Sequence, residues 1–259
     1  MKTLVITGGS SGIGLATAEL FASRGWQVFS LSRHGADRPG IRHIACDVTD
    51  ETSVQAAVRE VMRHTDRIDT AVSNAGFGIS GPVEFTQMDD ARRQFDVNFF
   101  GAVRFVQAVL PVMRAQKGGT ILFTSSVAAV LSVPYQSFYS ASKAAVNALA
   151  LALANEVRPF GVRVSCLMPG DVATGFTAAR SKSEAGYGVY ARAEKAIATM
   201  EKDEKGGMAA TEMARCLWRM ANKRRPAPLY VGGTVYKILC FLDRLLPKRI
   251  VNWIEGLLY

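Results

Sequence analysis

Short apolar runs alternate with longer stretches of helical period along most of this chain. Leu4-Val5-Ile6, residues 27–31, residues 41–46, Thr70-Ala71-Val72, residues 120–124 and residues 162–167 read as strands. Between them, an alanine-rich segment through Glu19 and Leu20 and residues 51–64, 88–116 and 138–157 carry helical spacing. The 88–116 pattern is interrupted near Asn98 and Gly101, which predicts a break there. Another strand falls at residues 229–231, after Pro226 and Pro228. Strands that are apolar throughout must be covered on both faces, and strands that alternate with helices pair in parallel. The pattern predicts an α/β fold: a doubly wound, Rossmann-like parallel sheet of about seven strands, with ligand at the carboxyl ends. No linker divides the chain, so residues 1–259 are expected to form one domain.

The formal charge is +9, placed unevenly. Residues 1–179 hold 16 basic and 14 acidic side chains, and residues 180–259 hold 15 and 8. Such a basic end could meet nucleic acid, an anionic membrane or acidic substrates. The Lys223-Arg224-Arg225 cluster comes with no nucleic-acid reading motif, so no nucleic-acid partner is expected. The four cysteines are far apart and in apolar contexts, which fits a reducing compartment and gives no metal pattern. With no signal-like N-terminus and no apolar run of membrane-spanning length, a cytoplasmic protein is expected.

Candidate chemistry begins directly after the first strand. Residues 7–14 read TGGSSGIG and place Gly8, Gly12 and Gly14 around Ser10, Ser11 and Ile13. Glycine lets backbone approach a ligand closely, and the helix that follows offers free N–H groups to a diphosphate. At the exit of the second strand stands Arg33, with no acid at that point. An acid there binds a ribose 2′-hydroxyl, whereas an arginine suits a 2′-phosphate, so NADP(H) is expected rather than NAD(H). Asp47 and Val48, after the third strand, would reach the adenine.

Tyr139 and Lys143 lie four apart on one helix and therefore share a face. A neighbouring cation favours the phenolate and lowers the tyrosine pKa, which makes the phenol usable as a general acid or base. Ser126, at the mouth of the fifth strand, can donate to a carbonyl oxygen.

In order and spacing, TGGSSGIG, Asn74-Ala75-Gly76, Asn98, Ser126, Tyr139, Lys143 and Pro169-Gly170 resemble the short-chain dehydrogenase/reductases over roughly residues 1–180. The resemblance implies that Tyr139 transfers a proton and that Ser126 hydrogen-bonds the substrate oxygen. Lys143 would lower the tyrosine pKa and hold the nicotinamide ribose, and Asn98 would keep a water in a relay to Lys143. Asn74, Ala75 and Gly76 would line the cofactor cleft, with Pro169, Gly170, Val172 and Thr174 flanking the nicotinamide. The implied reaction is hydride transfer between NADP(H) and a ketone or secondary alcohol, with ketone reduction preferred. Family members commonly pair through the helix that carries Tyr139, which implies a homodimer.

The remainder is individual. Residues 175–207 carry glycines among charged helical residues, a pattern suited to a substrate lid. Residues 234–259 form an amphipathic helical tail, in which Ile250, Trp253, Ile254, Leu257 and Leu258 fall on one face among basic side chains. Such a tail could lie in a bilayer interface as a peripheral membrane contact, cover the pocket or pack on a partner subunit. It looks like the tails of relatives acting on hydroxysteroids, retinoids and long-chain keto-lipids, so a bulky lipophilic substrate is expected. The alternatives are a reductase of a small polar or acyl-carrier-linked ketone, and a non-catalytic dinucleotide-sensing protein.

Overall fold

Leu4 and Ile6 point to one side of the first strand and Val5 to the other, and all three are fully buried in two separate cores. That alternation holds across the fold of the computed structural model, which describes residues 1–258. The elements, in chain order, begin with β1 (Thr3–Thr7), α1 (Gly12–Ser23), β2 (Gln27–Ser32), β3 (Ile41–Ala45), α2 (Glu51–Met62) and β4 (Thr70–Ser73). Then come the short β5 (Ile79–Ser80), α3 (Met88–Phe95), α4 (Gly101–Ala115), β6 (Gly119–Thr124), α5 (Ser137–Glu156) and β7 (Val162–Pro169). The last stretch holds β8 (Val172–Ala173), β9 (Ser181–Lys182), α6 (Ala193–Lys205), β10 (Met208–Ala209), α7 (Ala210–Asn222), β11 (Leu229–Gly232), α8 (Thr234–Leu245) and α9 (Lys248–Leu258).

Seven strands form one parallel sheet in the order β11-β7-β6-β4-β1-β2-β3. The first core joins Val5, Phe29, Ile121 and Phe123 to Val54 and Val58 of α2, Phe105 and Val109 of α4, and Val146 of α5. The second joins Leu4, Ile6 and Val28 to Ala18 and Phe21 of α1 and to Met213 and Leu217 of α7. The chain leaves β1 toward β2 on one side and β4 on the other, so a crevice opens at the carboxyl end of β1. The glycine turn stands at that crevice.

One expectation is refined. Residues 88–115 run on as helix instead of breaking, and Asp96–Phe100 form a π-helical turn between α3 and α4. Such turns commonly mark functional sites, and this one carries Asn98. The whole stretch is long and apolar enough to cross a membrane by length and hydropathy, but Phe105, Val109 and Met113 pack into the first core.

Candidate active site

Two adjoining cavities, of about 1070 and 540 Å³, follow the carboxyl ends of the strands. The larger is lined by Ser10, Arg33, Asp47 and Val48, and the smaller by Gly12, Ile13, Asn74, Pro169, Gly170, Val172 and Thr174. Gly8, Ser11, Ala75 and Gly76 line both, so they form the passage between the two. Gly14 lines neither but makes the turn possible. A Cβ there would stand 2.1 Å from the Gly8 carbonyl oxygen and 2.6 Å from Asn74 Nδ2. Thr7 Oγ1 accepts from the Asn74 and Ala75 N–H groups at 3.0 and 3.1 Å, which clamps the β4 exit onto the glycine turn. Ser11 precedes α1 without capping it by its side chain, and α1 has no acid in its first turn. Uncapped N–H groups beside a glycine cradle suit a diphosphate, so these residues fit a dinucleotide.

Asp47 turns its carboxylate to the Thr49 backbone N–H and hydroxyl, at 2.9 and 2.7 Å, and these bonds hold its pKa below the usual range. Arg33 is close enough to add to that lowering. The cleft at the β2 exit is therefore bordered by an arginine, with the nearest carboxylate tied into its own turn.

Ser126, Tyr139 and Lys143 converge on the smaller cavity. Ser126 caps the turn that follows β6, accepting from Ala128 N–H at 3.1 Å, and its hydroxyl is near enough to the Tyr139 phenol to lower its pKa. Lys143 Nζ lies 5.8 Å from the centre of the Tyr139 ring and donates to the Thr124 carbonyl at 2.9 Å. Asn98 sits outside the cavity wall, with Oδ1 accepting from Phe77 N–H and Nδ2 donating to Phe77 O, both at 3.0 Å. Ser142 Oγ takes a further bond from Nδ2 at 3.1 Å. Asn98 Oδ1 and Lys143 Nζ flank Gly76, 3.1 and 3.4 Å from where its Cβ would stand, so the two polar groups are neighbours.

The electrostatics differ from the sequence expectation. Burial pushes the Tyr139 phenol up to about 12, with the nearby Ser126 hydroxyl opposing. Burial also pulls the Lys143 ammonium down to about 8. Lysine proximity was expected to acidify the phenol, but here desolvation is the larger effect and one lysine proton is committed to Thr124. The tyrosine is therefore held protonated at neutral pH.

Several contributors carried no recognisable sequence signal. Ser125 Oγ donates to Lys143 O at 3.0 Å, which fixes α5 against β6. Phe176 packs its ring 5.6 Å from that of Tyr139. Within residues 175–207, buried Arg180 pairs with Glu204, which also accepts from Thr177 Oγ1 at 2.6 Å. Strand β9 of this segment pairs with β5. Tyr236 of α8 lies so close over Gly170 that a Cβ there would be 2.1 Å from its ring, and its hydroxyl donates to Asp171 at 2.5 Å. The tail is thus fastened to the β7 exit. Only a chain 65 residues apart in sequence brought together by folding reveals that contact.

Fold and site together define a dinucleotide-dependent oxidoreductase. The short chain dehydrogenase family model matches residues 2–185, and the chain belongs to the short-chain dehydrogenase/reductases. It is 35% identical to the 3-ketodihydrosphingosine reductase of Bacteroides thetaiotaomicron, an alignment covering 100% of this chain and 98% of that one. A short-chain dehydrogenase structure from Streptomyces avermitilis superposes with a TM-score of 0.84 at 27% identity, over 98% of this chain and 96% of that one. A family member from Burkholderia phymatum in complex with NAD superposes with a TM-score of 0.78 at 25% identity, over 93% and 92%. Membership makes the chain an oxidoreductase of alcohol or ketone groups that uses a nicotinamide dinucleotide, NAD(H) or NADP(H).

Proposed function

We propose that this chain is a cytoplasmic, NADPH-dependent reductase of a bulky lipophilic ketone, hydroxysteroid-like or a long-chain keto-lipid. The observation that carries the reading is the course of the smaller cavity. It starts at Ser126 and Tyr139 and continues beneath α8 and α9, where Leu239, Leu242, Leu246, Val251 and Ile254 line it. A largely apolar, open groove leading from the reactive polar groups favours a long hydrocarbon substituent over a small polar sugar. The relative named 3-ketodihydrosphingosine reductase supports the same class.

When bound, a nicotinamide cofactor would supply a hydride to the substrate's carbonyl carbon. Ser126 orients the ketone by a hydrogen bond to its oxygen. Tyr139 gives its phenolic proton to that oxygen as negative charge develops, which completes the alcohol. The phenol is protonated at rest, which is the form that reduction uses. Lys143 holds the ribose and, while charged, stabilises the phenolate left behind; Asn98 supports proton return along the Gly76 side. Gly8, Ser11, Gly12 and Ile13 would cradle the diphosphate, and Arg33 would pair with a 2′-phosphate. The four free, buried cysteines fit a reducing compartment.

Steady-state assays with NADPH and NADH against steroids, long-chain keto-lipids and small polar sugars test the proposal. Turnover of the lipophilic ketones with NADPH is expected. Turnover confined to sugars, or to an acyl-carrier-linked ketone, would overturn it.

A further inference from the structure

Helices α8 and α9 have two different apolar faces. Leu239, Leu242, Leu246, Val251 and Ile254 line the cavity that also holds Tyr139. Val235, Ile238, Phe241 and Leu245 on α8, with Ile250, Trp253 and Leu257 on α9, line neither cavity. All seven are large and open to solvent, with Phe241 at 60% exposure, Leu245 at 64%, Trp253 at 64% and Leu257 at 59%. So many exposed large side chains on two consecutive helices call for a covering.

The charges indicate what covers them. Lys237, Arg244, Lys248 and Arg249 are all exposed, while the acids of the same helices turn inward. Asp243 is buried and accepts from Lys248 at 2.5 and 2.6 Å, and Glu255 faces the cavity. With Lys248 paired to Asp243, the outer face presents hydrocarbon flanked by Lys237, Arg244 and Arg249, with no exposed acid on either helix among the described residues. A second copy placed on that face would set like charges against each other, which disfavours it as the covering. A bilayer with anionic headgroups satisfies both components, burying the apolar stripe and pairing with the flanking cations.

We infer that the outer face of α8 and α9 docks on an anionic lipid bilayer and that these two helices are the wall through which a membrane-borne substrate reaches Tyr139. The inference rests on the lipophilic-ketone reading for its second half, but the docking stands on the outer face alone.

Flotation of the full chain with two kinds of vesicle tests it: phosphatidylcholine alone, and phosphatidylcholine mixed with phosphatidylglycerol. The protein is expected to float with the mixed vesicles only, and less so as salt is raised. Trp253 emission is expected to shift to the blue on binding; Trp26 is buried and Trp218 packs edge-on against it, so they contribute little to that shift. Phe241→Ser with Trp253→Ser is expected to abolish flotation. Arg244→Glu with Arg249→Glu, which touches no core residue, is expected to weaken it about tenfold or more. Both variants are expected to keep wild-type turnover of a water-soluble ketone, which separates a failure of docking from a failure of the enzymatic reading. Absence of flotation with the mixed vesicles would overturn the inference. So would light scattering that shows a pair of chains split by Phe241→Ser with Trp253→Ser.

Discussion

Lys143 stands 5.8 Å from the centre of the Tyr139 ring and donates a hydrogen bond from its ammonium to the carbonyl of Thr124 at 2.9 Å. One turn of α5 separates the two residues in sequence, and β6 supplies the carbonyl that aims the lysine across the cavity floor. Both groups are buried, and burial disfavours the charged form of each, so the resting pair tends toward a neutral phenol beside a weakened ammonium.

Replacing the phenol tests its role directly. Tyr139→Phe is expected to lower kcat by about 10²- to 10⁴-fold, the usual worth of a positioned general acid. NADPH affinity, followed by fluorescence titration, is expected to change little. Unaltered biological function in this variant would favour a dinucleotide-sensing protein without turnover.

The pH dependence follows from the direction of the Lys143 shift. Its native value of about 8 lies below the ordinary 10.5, so the ammonium is charged below pH 8 and lost above it. Ketone reduction is expected to fall as pH rises through about 8, read from kcat/KM with saturating NADPH. Between about 8 and 10.5 the unfolded chain binds a proton at this position that the native protein does not. This lysine therefore makes stability rise with pH across that window, and Lys143→Met is expected to remove the rise in urea titrations.

Arg33 at the β2 exit is expected to set cofactor choice. Arg33→Asp removes a charge-assisted pair with a 2′-phosphate, worth about 1.5–3 kcal/mol, or about ten- to a hundredfold in NADPH affinity. The new carboxylate can accept from a ribose 2′-hydroxyl, so NADH use is expected to improve. Ratios of kcat/KM for the two cofactors measure the switch. A wild type that already prefers NADH would remove the NADP assignment.

Helix α5 carries Ala141, Ala144, Ala148, Leu151 and Ala152 on its exposed side, opposite the buried Val146, Ala150 and Leu153. Small side chains let two helices approach closely, and a homodimer through this face is expected from light scattering. Ala148→Arg is expected to split it. A single-chain mass for the wild type would reject the pairing. This face is separate from α8 and α9, so dimerisation and lipid docking are tested by different substitutions.

Much of this architecture could be read directly from the chain. Leu4-Val5-Ile6 is apolar at every position because both faces of β1 are covered, and that is visible without coordinates. The glycine turn, Ser126 and the four-residue spacing of Tyr139 and Lys143 are likewise local, since backbone sterics and helical period act over a few residues. Asn98 was placed by resemblance, but the π-helical turn that carries it needed its bonds to Phe77 and Ser142 to be seen. The amphipathic tail was also legible, although its stripe alone left open whether protein or a bilayer covers it. Only the folded chain assigned one face of α8 and α9 to the cavity and left the other in solvent, because Tyr236 lands on Gly170 and Asp171 through contacts far apart in sequence. The sign of the Tyr139 shift had the same origin. Spacing reports that a cation is near, whereas the degree of desolvation that outweighs it is a property of the whole surrounding volume, which no short stretch of sequence encodes.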